Sequence, residues 1–312
     1  MVGGRWGRGR PSGRPPLNDD GEGRLRAALF AIGTLFCVGL VAWWMRPPDT
    51  SAGPCVVITG PVKLPELPES SGLAISRRQP GLLWSHNDSG NAAVLFGIDA
   101  IGAVRERVRL PLELRDWEDI SAARCASGDC LYIADIGDNQ RVRREIRIYR
   151  VPEPVAGDTV TGPPEVFTAT YADGPHNAEA MFLVNSEMFI VTRDRVGGVY
   201  RATANASGNR DLVFERIAQL SLEAVTDAEV STDGATVVVR TSHEAVLYRT
   251  ADLTAGQTMP FERIPIDGLR EAQGEGVALD GNVLYLSSEG RRAGSLLSLR
   301  CDLPGHHANR TS

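Results

Sequence analysis

The sequence predicts an all-β fold, a β-propeller, carried on one amino-terminal transmembrane helix. Three observations lead there. A unit of carboxylate or serine, strand, hairpin and second strand recurs along most of the chain. The residues that open it, Ser71, Glu118, Glu179, Asp227 and Glu275, are spaced by 47, 61, 48 and 48 positions. The last unit is one strand short, and an unattached strand stands where the repeats begin. A unit of about 48 residues with four short strands cannot bury its face alone and must stack on copies of itself, which is how propeller blades behave. Five four-stranded blades are favoured and six are the alternative. The 61-residue interval holds the 140–144 loop and the 152–164 linker rather than a further meander.

Residues 1–26 are rich in Gly, Arg and Pro, with too little aliphatic content to bury a core, so a disordered arm is expected. Residues 27–45 then run 19 positions without a charge, between Arg26 and Arg46. As a helix this run spans roughly 28 Å, close to the hydrocarbon thickness of a bilayer. Trp43 and Trp44 fall at its outer end, where amphipathic rings favour the interface. Six arginines precede the span, so the arm is expected in the cytoplasm and the remainder outside a single-pass cell-membrane anchor. A cleaved signal peptide is the competing reading. The run is longer than a typical signal core, and Trp44-Met45-Arg46 is a poor cleavage site.

Residues 46–54 read as a linker, 55–303 as the propeller and 304–312 as a flexible tail in which His306 and His307 are solvated. The strand opening at Cys55 resembles the last strands of later units, and it would supply the strand that the final unit lacks. Such closure leaves no sheet edge open at the seam. It also brings Cys55 beside Cys301, while Cys125 and Cys130 bracket a tight turn. Of the three possible pairings only Cys55–Cys301 with Cys125–Cys130 suits this topology, and an oxidising compartment permits it.

From residue 47 onward acids outnumber bases by ten, against a whole-chain formal charge of −6. That excludes a nucleic-acid surface, which needs a basic face. Lys63 is the only lysine, so Schiff-base and P-loop chemistry are excluded too. In an antiparallel meander the start of strand one and the end of strand two lie at the same end. This gathers Glu69, Ser71, Glu118, Asp119, Glu179, Asp227 and Glu275 around one channel mouth. His86, Asn87, Asp88, Asp135, Asp138, Asn139, His176, Arg193, Arg240, His243 and Glu289 lie around them. Oxygen ligands of this kind suit Ca²⁺, and the expected metal set is Glu118, Asp135, Asp138, Asn139, Glu179 and Glu275. The competing reading is that such carboxylates cap strand ends and turns.

Several segments resemble a group of bacterial secreted or membrane-anchored propellers near the phytase-like and esterase-like families. They are Glu-x-Ser-Gly-Leu (69–73), Trp-x-His-Asn-Asp-Ser-Gly (84–90), Asp-Trp-Glu-Asp-Ile (116–120), Tyr-Ile-Ala-Asp-Ile-Gly-Asp-Asn (132–139), Asn-Ala-Glu-Ala (177–180) and Gln-Gly-Glu-Gly (273–276). The likeness covers residues 56–302. It implies Ca²⁺ at the channel mouth and hydrolysis of phosphate esters, carboxyl esters or lactones. The chain departs from the phytase pattern in lacking a lysine-rich phosphate cradle, leaving Arg193, Arg240, Arg291 and Arg292 for anions. Two functions are therefore expected. One is a binding module gripping a small molecule or a cell-surface partner. The other is a Ca²⁺-dependent hydrolase with His86 or His176 as base and Arg193 and Arg240 steadying the anion.

Overall fold

A computed structural model describes residues 51–203, 210–269 and 271–304. The apolar span 27–45 and the arginine-rich arm lie outside the described residues. Among the described residues no helix is long and apolar enough to cross a membrane.

The described chain is almost entirely antiparallel sheet, built from four-stranded meanders in chain order. The first contains β3 (Ser70–Ile75), β4 (Leu82–Asn87), β5 (Val94–Asp99) and β6 (Val104–Arg109). The second contains β7 (Asp119–Cys125), β8 (Gly128–Asp135), β9 (Ile146–Pro152) and β10 (Glu165–Tyr171). The third contains β11 (Ala178–Val184), β12 (Glu187–Thr192), β13 (Gly197–Thr203) and β14 (Asp211–Leu220). The fourth contains β15 (Val225–Val230), β16 (Thr236–Thr241), β17 (Glu244–Arg249) and β18 (Glu262–Pro265), with a short helix α1 (Thr250–Thr254) before its last strand. The last combines β19 (Gln273–Asp280), β20 (Val283–Glu289) and β21 (Gly294–Cys301) with β2 (Cys55–Leu64) from the start of the domain. First strands pack on one another in a cycle, β3 on β7, β7 on β11, β11 on β15, β15 on β19 and β19 on β3. That cycle of meanders is a β-propeller.

Closure follows the expected route. Strand β2 pairs antiparallel with β21, Cys55 opposite Cys301, and the two are disulfide-bonded. Cys125 and Cys130 are also bonded, across the β7–β8 turn. The expected linker is shorter than its reading, because β1 (Ser51–Ala52) already pairs with β2 and buries Ala52. One pairing was not legible in the repeat. Strand β10 runs parallel to β14, Thr168 opposite Asp211, so the second and third meanders form one eight-stranded sheet. The 153–164 segment is no idle insertion either. It lies along β6, with Arg109 N donating to Thr159 O at 2.9 Å and Thr161 N to Arg109 O at 3.0 Å.

First strands are buried on both faces, as their central place requires: every residue of β3 and β15 except the last is buried. They meet too closely for rows of large side chains, and polar groups join one to the next. Ser71 Oγ donates to Glu118 O at 2.7 Å, Met181 N to Asp119 Oδ2 at 2.6 Å, and Thr226 Oγ1 to Glu275 O at 3.0 Å. Gly72, at φ +48°, lies against Asp119 and Ile120, where a Cβ would come within 2.8 Å of Ile120 N. Apolar residues fill the spaces between neighbouring meanders, as where Trp84 and Trp117 pack with Leu131, Ile133 and Tyr149.

Candidate functional site: an acidic channel mouth

Strand registers bring the starts of first strands and the ends of second strands together. Ser70 pairs with Asn87, Asp119 with Ala134, Ala178 with Thr192, Val225 with Thr241 and Gln273 with Glu289. The expected concentration of carboxyl groups at this end follows.

Its tightest part is Asp88, Asp116 and Glu118, each offering an oxygen within 4.8 Å of the others. Asp88 follows β4, and Asp116 and Glu118 precede β7. Gly137, in the loop after β8, passes directly beneath; a Cβ there would fall on Glu118 Oε1 and Asp116 Oδ2. Among the described residues no Arg or Lys forms an ion pair with any of the three. The charge therefore has to be relieved by protons or by a bound cation. Burial pushes Glu118 up to about 11, with repulsion from Glu179, Asp88 and Asp116 adding to it. Burial also raises Asp88, and Asp116 and Glu69 push the same way. The neighbouring Glu179 carboxyl adds to the rise of Glu118, and Glu118 in turn works against the rise of Glu179. Glu179 is raised chiefly by burial, and Arg193 opposes that rise through an ion pair of 2.8 Å. Across the mouth, burial brings Glu275 up to about 7 and raises Glu289, the latter reinforced by Asp88 and Glu69.

Asp119 and Asp227 lie deeper, fully buried on β7 and β15. Asp119 accepts from Ile120 N and Met181 N, both at 2.6 Å, and Asp227 from Val277 N at 2.5 Å. Burial raises both, Asp227 to about 7. They join first strands across the channel.

The expected metal set divides. Glu118, Glu179 and Glu275 face the mouth. Asp135, Asp138 and Asn139 are spent inside the 135–143 loop. Asp135 accepts from Arg115 N at 3.1 Å and Asp116 N at 3.0 Å, and pairs with Arg143 at 2.9 Å. Asp138 accepts from Arg143 N at 2.7 Å and donates its own N–H to Asn177 Oδ1 at 2.7 Å. Asn139 Oδ1 accepts from Asn177 at 3.2 Å. These residues hold Asp116 and Gly137 in place, which is the turn-capping role. Asp88 and Asp116, which cluster with Glu118, were outside the expected metal set; both stood inside motifs already singled out.

The expected catalytic set divides too. His86 is fully buried, with its ring stacked on Trp117 at 4.0 Å between centroids and its Nδ1 3.0 Å from Asn87 O. Burial lowers it to about 4, so it is a neutral packing group and not the expected base. His176 is held by Asp194 at 3.2 Å on Nδ1, and by Asp173 at 2.9 Å and Tyr200 Oη at 2.8 Å on Nε2. Arg240 is fully buried and bonds Gly276 O at 2.6 Å, Ser287 O at 3.0 Å and Glu271 at 2.6 Å. It ties the fourth meander to the last and is not open to an anion. Arg193 alone of this set faces the mouth.

No family model matches the chain, and no curated protein matches it. Solved structures do. One is a protein assigned as a glycoside hydrolase from Parabacteroides distasonis, 13% identical, covering 81% of this chain and 95% of its own, at a TM-score of 0.40. Another is a protein assigned as TolB from Agrobacterium tumefaciens, 13% identical, covering 71% and 70%, at 0.38. A chain of a mitotic checkpoint complex, 11% identical, matches over 78% of this chain and 66% of its own, at 0.37.

Proposed function

We propose that the five meanders are the blades of a complete five-bladed propeller, held outside the cell membrane by residues 27–45, whose acidic mouth binds a ligand or surface partner through a cation. The observation that carries this reading is the convergence of Asp88, Asp116 and Glu118 over Gly137, with no basic residue among the described residues paired to them. Carboxylate oxygens alone make a hard donor set, which favours Ca²⁺ over softer metals. Glu179 and Glu275 stand near enough to act on the same charge, and Arg193 would meet an anionic group of the ligand. Two disulfides support the extracytoplasmic placement. The hydrolase reading has less behind it, because His86 is sealed under Trp117 and His176 is engaged on both ring nitrogens.

Thermal melts test the cation. Ca²⁺ at a hundredfold excess over its Kd stabilises by about 2.7 kcal/mol, a rise of several degrees for a domain of this size. Asp116→Asn should remove most of that rise and leave the protein in EDTA no less stable, since one repelling charge is gone. A wild-type melt that is the same in Ca²⁺ and EDTA would sink the proposal.

A further inference from the structure

A cavity of about 680 Å³ lies away from the acidic mouth. It opens at the opposite end of the first strands, where β3, β7, β11 and β15 run into their hairpin turns. Its size falls within the range of small-molecule sites. Unlike the other end, it carries basic groups beside its acids. Arg77 and Arg124 line it beside Asn185 and Thr232, Asp233 lines it while accepting from Ser231 Oγ and Ala235 N in its own turn, and Glu229 reaches it from β15 with only 6% of its surface exposed.

The arginines are loosely held. Arg77 gives its Nε to Asp129 at 3.2 Å, and Arg124 stands 4.0 Å from the same carboxylate with 80% of its side chain exposed. Among the described residues the terminal guanidinium nitrogens of both make no hydrogen bond. Glu229 Oε2 accepts from Ser121 Oγ at 2.7 Å. Burial raises this carboxyl, the Ser121 hydroxyl opposes the rise, and Asp227 adds to it.

We propose that this cavity is a second ligand site, for a small hydroxylated oxyanion carrying a carboxylate or a phosphate. The guanidinium forks of Arg77 and Arg124 match the two oxygens of either group. Hydroxyls of the ligand find Glu229, Asn185 and Thr232. The two ends of the channel thus take opposite charges, and occupation of one does not exclude the other.

Calorimetric titration of the full chain with citrate, and separately with inorganic phosphate, tests the proposal. One saturating equivalent per chain is expected from at least one probe, and the two arms tell a carboxylate from a phosphate ligand. Arg124→Ala should weaken binding at least tenfold, with an unchanged melting profile because the side chain is exposed. Ala123→Trp, which fills the cavity, should abolish binding. Absence of saturable binding by either probe overturns the proposal. So does an affinity within twofold of wild type in Arg124→Ala, whether or not Ala123→Trp folds.

Discussion

Glu118, Asp119, Asp227 and Glu275 each titrate above the ordinary carboxyl range, with burial the largest cause in every case. A carboxyl whose pKa rises on folding makes the native state hold more protons than the unfolded chain. Stability then falls as pH climbs from the unfolded value through the folded one. For Glu275, moved to about 7, the loss is on the order of 3 kcal/mol. His86 works the other way. Its pKa falls to about 4, so it costs stability as pH drops below about 6.5, but it is one group against several. The cation-free protein is therefore expected to melt several degrees lower at pH 8 than at pH 5, with Ca²⁺ removing most of the difference. Melting in EDTA across that range checks this, and a melting temperature that rises with pH would contradict it. Gly137→Ala offers a steric counterpart. Its methyl would displace Glu118 and Asp116, costing about 1–3 kcal/mol and diminishing the Ca²⁺ shift in the same melts.

The element that shapes the mouth is the loop after β8. Its carboxylates are buried and bonded to backbone N–H groups, so they are needed with or without a cation. Asp138→Asn should destabilise by about 1–2 kcal/mol equally in Ca²⁺ and in EDTA, whereas Asp116→Asn should alter only the Ca²⁺ response. Urea unfolding of both variants in each condition separates the roles. Repeat spacing made the meanders, the closing strand and both disulfides legible, because each follows from where strands start and stop. It could not separate Asp135 and Asp138 from Asp88 and Asp116. A carboxylate that caps a turn and one that faces a channel are the same residue type in the same kind of segment. Nor could it reveal that Trp117, from the next meander, covers His86. Burial of a strand-end residue is decided by a neighbour about 30 positions away in the chain, and only packing shows it. Arg240 misled for the same reason: its partners lie on β19 and β20 and in the segment before them.

Across the whole molecule, the bond between Cys55 and Cys301 spans a sequence separation of 246, against 5 for Cys125 and Cys130. Loop-closure entropy grows with the logarithm of that length, so Cys301→Ala should cost about 3 kcal/mol more than Cys130→Ala. Denaturant midpoints of the two variants measure the difference, and equal losses would show that the longer bond adds no closure entropy. The second and third meanders, sharing a sheet through β10 and β14, should exchange their amide hydrogens as a single cooperative unit. Between Cys55 and Cys301 the backbone is also a covalent circle. A protease that cuts one exposed turn within it opens the circle without cutting anything loose. Both new ends stay attached, and the blades stay in place. A second cut is needed to free a fragment, so a singly nicked protein would migrate as an intact chain until its disulfides are reduced.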